Sequence, residues 1–305
     1  MRSIMSLQGW RLRGLMAFSQ LLAVFGISGA SPKTARLPLE KRAAVVPAPW
    51  MLRPMPAVDI ERSVVQGREC EIPIKIFRPR NNNPRTRQVL FIHGGGWVAG
   101  SEDSLDYLCT HLCDGLDLEV TSVGYRLAPE NPYPAGLNDC EDALAFVAGS
   151  GLPTIVVGDS AGGNLAAALC LKTAGQWDIP KQVLIYPLLD ATLQSPSIDP
   201  PRHGLRRKDM VEVVKMYCNG VDPADPLISP VYARDLSGLP PTLIVTADGD
   251  PLRDDGHRYA QALEKAGIPV RYKNYLRMPH GFLSLASLCS IAPEAIELIV
   301  GELQQ

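Results

Sequence analysis

Residues 154–164 read Thr-Ile-Val-Val-Gly-Asp-Ser-Ala-Gly-Gly-Asn, a sequence that indicates a strand, a tight turn and a helix in succession. The run Ile155-Val156-Val157 predicts a buried strand, and the Ala- and Leu-rich sequence after Gly162 predicts a helix. The residues between them match G-x-S-x-G, in which the serine occupies a strained turn from strand to helix and the glycines remove side chains that would collide there. We therefore predict that Ser160 projects above a sheet edge as a nucleophile, against the alternative of an ordinary strand-to-helix turn.

Short apolar runs alternate with helix-length segments along most of the chain. Continuous Val, Ile and Leu runs without polar alternation are typical of strands buried on both faces of a parallel sheet, and the intervening segments are long enough for crossover helices. The sequence therefore predicts an α/β fold with a mostly parallel central sheet flanked by helices. The predicted strands are 60–65, 71–77, 89–92, 119–123, 154–157, 183–186, 242–247 and 270–273, and the predicted helices are about 103–116, 139–148, 162–174, 208–219 and 254–266.

Asp250 is the predicted carboxylate partner of a catalytic base. It follows the predicted strand 242–247, and the carboxyl ends of parallel strands meet at one edge of a sheet. Asp248 is close enough to compete for this role. We prefer Asp250 because Pro251 fixes a turn directly after it.

His280 is the predicted base, because a serine nucleophile needs a group that removes its proton and a carboxylate that orients that group. It follows the last predicted strand, so the order along the chain is Ser160, Asp250, His280. The remaining candidates have simpler explanations: Asp254 and Asp255 fall at a helix start and are expected to cap it, His111 and His257 lie inside predicted helices, and His203 lies in a polar insertion.

A run of three glycines follows the predicted strand 89–92. Glycines leave backbone N–H groups unshielded, as stabilisation of an oxyanion requires. We predict an oxyanion hole formed by Gly94, Gly95, Gly96 and Ala161, with the last three as the expected N–H donors. The competing interpretation is a dinucleotide-binding loop, since residues 94–99 also match G-x-G-x-x-A. Gly100, Ser101 and Glu102 argue against it, because they stand where its helix would already be running.

Composition excludes several classes of protein. The 305 residues include 30 Lys and Arg against 32 Asp and Glu, so the formal net charge of −2 leaves no basic excess for binding nucleic acid. Seven cysteines form an odd set without close C-x-x-C pairs, which fits neither a disulfide framework nor a zinc ribbon and favours a reducing compartment. Cys109 and Cys113 are therefore interpreted as buried core thiols. We predict no metal.

The N-terminal region has two interpretations. Residues 15–27 are apolar and follow several arginines, and the small residues 28–30 resemble a cleavage site, so the stretch could be a signal peptide ending near Ala30. Alternatively, the helical spacing of Leu15, Phe18, Leu22 and Phe25 predicts an amphipathic helix that stays on a cytoplasmic protein. We favour the helix. The stretch is too short and too interrupted for a stable membrane span.

The chain divides into an appendage and a core. Residues 1–57 are rich in proline and basic residues without a strand signal, whereas the core of strands and helices covers residues 58–305. Between Pro187 and Pro240 the alternation breaks into a polar, proline-rich stretch with one predicted helix. We expect this insertion, about residues 190–235, to fold over the sheet with the N-terminal segment as a cap.

Five motifs occur along the chain: His93-Gly94-Gly95-Gly96-Trp97, Tyr125-Arg126-Leu127-Ala128-Pro129-Glu130, Gly158-Asp159-Ser160-Ala161-Gly162-Gly163-Asn164, Asp250-Pro251-Leu252-Arg253-Asp254 and His280-Gly281-Phe282. On these motifs the chain, from about Val58 to the C-terminus, resembles the hormone-sensitive lipase family of α/β-hydrolases, in its bacterial esterase branch. The resemblance implies an α/β-hydrolase fold with a helical cap and a carboxylesterase that acts on short acyl chains. It also implies Ser160 as nucleophile, Asp250 as acid and His280 as base.

The expected partner is a small-molecule ester, and no cofactor is expected. Two other functions remain open on the sequence. An amidase or peptidase would use the same triad, and a non-catalytic receptor would bind a ligand on the same fold. Whether the protein forms a homodimer is also left open.

Overall fold

The computed structural model describes residues 56–81, 83–199, 205–286 and 290–305. The predicted cap segment 1–57 lies outside the described residues except for its last two, and so do both interpretations of the N-terminal apolar stretch. His203 and Cys289 also lie outside them. Within the described ranges, none of the helices combines the length and the apolar character that crossing a bilayer requires.

Eight strands form a single sheet. The strands are β1 (Asp59–Gln66), β2 (Glu71–Arg78), β3 (Gln88–Ile92), β4 (Glu119–Val123), β5 (Thr154–Asp159), β6 (Gln182–Ile185), β7 (Thr242–Ala247) and β8 (Val270–Tyr275). Their order across the sheet is β1-β2-β4-β3-β5-β6-β7-β8. The strand β2 pairs antiparallel with both of its neighbours, and all pairs from β4 to β8 are parallel. The predicted mostly parallel α/β sheet is confirmed.

In the described part of the chain, six α-helices connect or follow these strands. They are α1 (Asp106–Leu116), α2 (Ala135–Ala148), α3 (Ala161–Lys172), α4 (Arg207–Cys218), α5 (Arg253–Lys265) and α6 (Ile291–Leu303). Five of them correspond to predicted helices, and α2 begins four residues earlier than the sequence indicates. The C-terminal helix α6 is absent from the prediction, although its buried residues recur at helical spacing.

The core lies on both faces of the sheet. Leu90 and Val156 belong to the apolar cluster on one face, whereas Val89 and Ile155 belong to the cluster on the other. The inner strands β3, β5, β6 and β7 are buried along their whole length, as the continuous apolar runs predict. The edge strands differ: β1 is mostly exposed and β8 is half-buried, because each has a neighbour on only one side.

The insertion between β6 and β7 contains α4 and two short 3-10 helices, Pro196–Ile198 and Pro230–Tyr232. Its helix buries an apolar face that includes Met210, Val213, Val214 and Tyr217. Tyr217 stacks on Trp97 with ring centroids 4.3 Å apart, so α4 lies against the loop that follows β3.

Candidate active site

Ser160 occupies the sharp turn between β5 and α3. Its backbone has φ 54° and ψ −119°, a conformation that a non-glycine residue seldom adopts and that the surrounding structure must enforce. The glycines on either side permit the turn: a Cβ on Gly158 would lie 2.2 Å from the carbonyl oxygen of Gly162, and one on Gly162 would lie 2.1 Å from that of Ile92. Glycine at both positions therefore lets strand and helix approach closely.

A continuous chain of hydrogen bonds links three side chains from distant parts of the sequence. Ser160 Oγ lies 2.8 Å from His280 Nε2, and His280 Nδ1 lies 2.7 Å from Asp250 Oδ2. A carboxylate only accepts, so the Nδ1 proton points to Asp250 and leaves Nε2 free to accept the serine proton. The structure thus brings together the three residues that the sequence singles out, in the arrangement of a nucleophile, a base and an orienting acid.

The acid and the base sit on neighbouring loops that follow β7 and β8. Two backbone hydrogen bonds join these loops, from Asp248 N to Tyr275 O and from Gly249 N to Met278 O, both at 2.9 Å. The side chain of Asp248 instead faces Arg253, with 3.6 Å between charged atoms. This geometry favours Asp250 over Asp248 as the partner of His280.

The surroundings of the predicted base change its pKa. Burial alone lowers the pKa of His280, but the charge and hydrogen bond of Asp250 outweigh it, and the pKa is raised above its ordinary value of 6.5. The imidazolium that would form when the ring takes a proton from Ser160 is therefore stabilised where it is needed.

The loop after β3 presents two backbone N–H groups. His93 Nδ1 lies 2.7 Å from the carbonyl oxygen of Gly94, and the N–H groups of Val98 and Ala99 donate to the carbonyl of Gly95. In a trans peptide the N–H points away from the C=O, so the N–H groups of Gly95 and Gly96 point to the opposite side. Within the described residues these two N–H groups have no hydrogen-bond partner.

Gly94 does not act as a donor in the predicted oxyanion hole. Its N–H donates to Asp159 Oδ1 at 2.7 Å, so it is already engaged. Gly95, Gly96 and Ala161 remain as the candidate donors. Ala161 is the first residue of α3, a position whose N–H has no partner within its own helix.

His93 is fully buried behind this loop. Its ring stacks on Tyr125 with centroids 4.3 Å apart, and the Tyr125 hydroxyl donates to the His93 carbonyl at 2.9 Å. Burial lowers the pKa of His93 to about 4, so the ring stays neutral and Nδ1 donates to the Gly94 carbonyl.

The helix α1 begins only at Asp106, which removes the dinucleotide-loop alternative because no helix follows the glycines directly.

The expected capping role of Asp255 is wrong. Its carboxylate is fully buried and accepts the backbone N–H groups of Leu189 and Asp190, each at 3.1 Å, and the hydroxyl of Ser195. All three partners belong to the start of the insertion rather than to the helix α5 on which Asp255 lies. Burial raises the pKa of this carboxyl to about 7.

The insertion also contacts the oxyanion loop. A Cβ placed on Gly96 would lie 3.4 Å from Val213 Cγ1, so the helix α4 covers this glycine directly.

The cysteines of the described part are free thiols, and Cys109 and Cys113 are buried, as their interpretation as core thiols predicts.

The chain is similar to a known protein family and to known ester hydrolases. A family described as having the alpha/beta hydrolase fold matches residues 89–284. Carboxylic ester hydrolase LipN of Mycobacterium tuberculosis is 39% identical over 249 residues, which cover 76% of this chain and 66% of that protein. An ethyl acetate hydrolase of Pseudomonas putida is 35% identical over 251 residues, covering 77% of this chain and 78% of that protein.

A solved structure shows the same architecture. The esterase of the archaeon Pyrobaculum calidifontis superimposes with a TM-score of 0.83 at 33% identity, and the match covers 95% of this chain and 96% of that one.

Proposed function

Because the chain belongs to the α/β-hydrolase family, in its hormone-sensitive-lipase-like branch, and is a carboxylesterase, we propose that Ser160, His280 and Asp250 hydrolyse short acyl esters through an acyl-enzyme. The observation that carries the proposal is the unbroken hydrogen-bonded chain from Ser160 Oγ through His280 to Asp250. It is the arrangement that converts a weakly nucleophilic hydroxyl into an attacking group.

The reaction has two halves. In the first, Ser160 Oγ attacks the ester carbonyl while His280 Nε2 takes its proton, and the oxyanion accepts the N–H groups of Gly95, Gly96 and Ala161. His280 then protonates the alkoxide leaving group, and the alcohol departs from the acyl-enzyme. In the second half, His280 deprotonates a water that attacks the acyl carbon. His280 then returns this proton to Ser160 Oγ as the acid departs, which restores the free serine. Each oxyanion donor contributes roughly 3 kcal/mol to the transition state.

The proposed substrates are small. Val213 covers Gly96 directly, which leaves little room for a long acyl chain beside the oxyanion donors. We expect kcat/KM for aryl esters to peak at acyl chains of about two to six carbons, because each methylene that fits gains at most ~0.8 kcal/mol and one that meets the wall of α4 gains nothing. The Pseudomonas putida relative is an ethyl acetate hydrolase, which supports this size class.

We further propose that the insertion of about residues 190–235 and the segment 1–57 form a cap over the catalytic domain 58–305. The contacts of α4 with Trp97 and Gly96 support the assignment of the insertion to the cap.

The decisive experiment is labelling with an aryl phosphonate, which should add one group to Ser160 and abolish ester hydrolysis. Ser160→Ala should neither react nor turn over, whereas the exposed control Ser237→Ala should do both. A panel of aryl esters and matched anilides separates an esterase from an amidase. Retention of a tenth of the wild-type kcat by Ser160→Ala would exclude the nucleophile assignment.

A further inference from the structure

Asp159 is a buried charged residue that the proposed reaction does not use. It is the last residue of β5 and precedes Ser160, and only 7% of its surface is exposed. Its Oδ1 accepts the N–H of Gly94 at 2.7 Å. A buried carboxylate is costly unless it is compensated, so its position beside the nucleophile calls for a role.

The contact spans the gap between the nucleophile turn and the glycine loop. A Cβ on Gly94 would lie 2.7 Å from Asp159 Oδ2 and 3.0 Å from Ser160 Cβ, so Gly94 fits directly against both residues. Asp159 holds Gly94 at its N–H, and the His93 ring holds it at its carbonyl. Both peptide groups of Gly94 are therefore fixed, and the second of them carries the N–H of Gly95.

We propose that Asp159 is a positioning residue that ties the oxyanion loop to the nucleophile turn. The inference rests on the proposed function, because it assigns the N–H groups of Gly95 and Gly96 to the oxyanion. Since Asp159 and Ser160 are adjacent in the chain, one hydrogen bond from Gly94 fixes the separation between the attacking oxygen and its stabilising donors.

The negative charge of Asp159 has a further consequence, which depends on which of its neighbours also carry a charge. The groups that interact with Asp159 are Tyr125, Tyr186, Cys109 and His280. Burial raises the pKa of both tyrosines and of the cysteine well above their ordinary values, so all three stay neutral near pH 7. His280 is then the titrating partner of Asp159, and it also faces Asp250.

The negative charge of Asp159 favours the protonated form of His280. Burial raises the pKa of Asp159 to about 6, with the Gly94 N–H and His280 opposing the shift, so the carboxylate is ionised above that pH. Its negative charge raises the pKa of His280, in addition to the larger effect of Asp250. Removal of the Asp159 charge should therefore lower the pKa of His280.

Two substitutions separate the two roles. Asp159→Asn keeps an oxygen that accepts the Gly94 N–H but loses the charge, whereas Asp159→Ala loses both. We expect Asp159→Ala to lower kcat about 100-fold with little change in KM, the scale for loss of an oxyanion donor. Asp159→Asn should recover kcat to within about tenfold of wild type, because the hydrogen bond is restored, and its acid limb of kcat/KM should move to lower pH.

The measurements are pH profiles of kcat and KM on an aryl acetate, with Asp248→Asn as a carboxylate control that should leave both unchanged. Phosphonate labelling of each variant at Ser160 shows that the nucleophile is intact, so failure of this inference is distinct from failure of the proposed function. The inference is overturned if Asp159→Asn shows no rescue of kcat over Asp159→Ala. Should Asp159→Ala not fold, Asp159→Asn alone decides: a kcat more than about tenfold below that of wild type overturns the inference.

Discussion

The Asp250 carboxylate is shared between His280 and the turn before the helix α5: Oδ2 lies 2.7 Å from His280 Nδ1, and Oδ1 accepts the N–H of Leu252 at 2.8 Å. The acid is therefore held in place before the base engages it. Asp250→Asn should lower kcat by roughly 10⁴-fold, because an amide can present its NH₂ to Nδ1 and favour the wrong tautomer. Asp248→Asn is the matched control and should stay within threefold of wild type. Equal losses in both variants would contradict the assignment.

The rate of ester hydrolysis should depend on pH through His280. The base must be neutral to accept the serine proton, and the pKa of His280 is raised above 6.5 by Asp250. We expect kcat/KM to rise with pH and to reach half its maximum above pH 6.5. Profiles on an aryl acetate measure this, and a midpoint well below 6.5 would show that another group limits the rate.

Val213 should limit acyl chain length, because its side chain covers Gly96. Val213→Ala opens space there and should move the maximum of kcat/KM to longer acyl chains, whereas Val213→Phe should narrow the range to acetate. Val211 lies on the same helix and is 49% exposed, so Val211→Ala is the matched control. A series of aryl esters of increasing chain length tests this. An unchanged maximum in both Val213 variants would place the acyl site elsewhere.

Glycine at position 162 should be needed for stability. An alanine Cβ there would lie 2.1 Å from the Ile92 carbonyl oxygen and 2.4 Å from that of His93, so backbone must move. We expect Gly162→Ala to lower the free energy of unfolding by about 3 kcal/mol or more. Gly301→Ala, in α6 with open space around the added methyl, should instead raise it by about 0.5–1 kcal/mol. Urea unfolding of both variants compares them, and similar values would contradict the steric argument.

Asp255 should make stability depend on pH. Its folded pKa of about 7 exceeds the ordinary 3.8, so between these values the folded state holds a proton that the unfolded chain has released. The free energy of unfolding should then fall as pH rises through this window and level off above it. Asp255→Asn removes this dependence, because an amide oxygen still accepts the two N–H groups without titrating. The difference in unfolding free energy between variant and wild type should therefore grow in favour of the variant from pH 4 to 7, and a constant difference would be the contrary result.

The sequence predicts the sheet and the residues around Ser160 because both have local signals. The inner strands are continuous apolar runs, and the two glycines of the G-x-S-x-G turn mark the positions at which a side chain would collide with the backbone. The helix α6 was detectable too, since its buried residues Ala292, Ile296, Ile299 and Leu303 recur at helical spacing. The sequence of this segment therefore contains a helix signal of its own.

Other features depend on contacts that no local pattern contains. The N–H of Gly94 is engaged because Asp159, 65 residues away along the chain, lies beside it. Asp255 resembles a helix cap in sequence, but its partners are Leu189, Asp190 and Ser195, which only the tertiary fold brings to it. In both cases a buried carboxylate satisfies backbone N–H groups of a distant segment.

The insertion between β6 and β7 leaves and re-enters the sheet at adjacent parallel strands, with Ile185 paired beside Val245. The pairing of these two strands therefore fixes both ends of the insertion, whatever the length of the insertion. None of Ser160, Asp250 and His280 lies within it. Loops of other lengths and compositions grafted at these two points would leave the strands that precede Ser160, Asp250 and His280 in the same order, while changing what lies over Gly96. This architecture therefore places the reacting side chains at the sheet and the residue that covers Gly96 on the insertion.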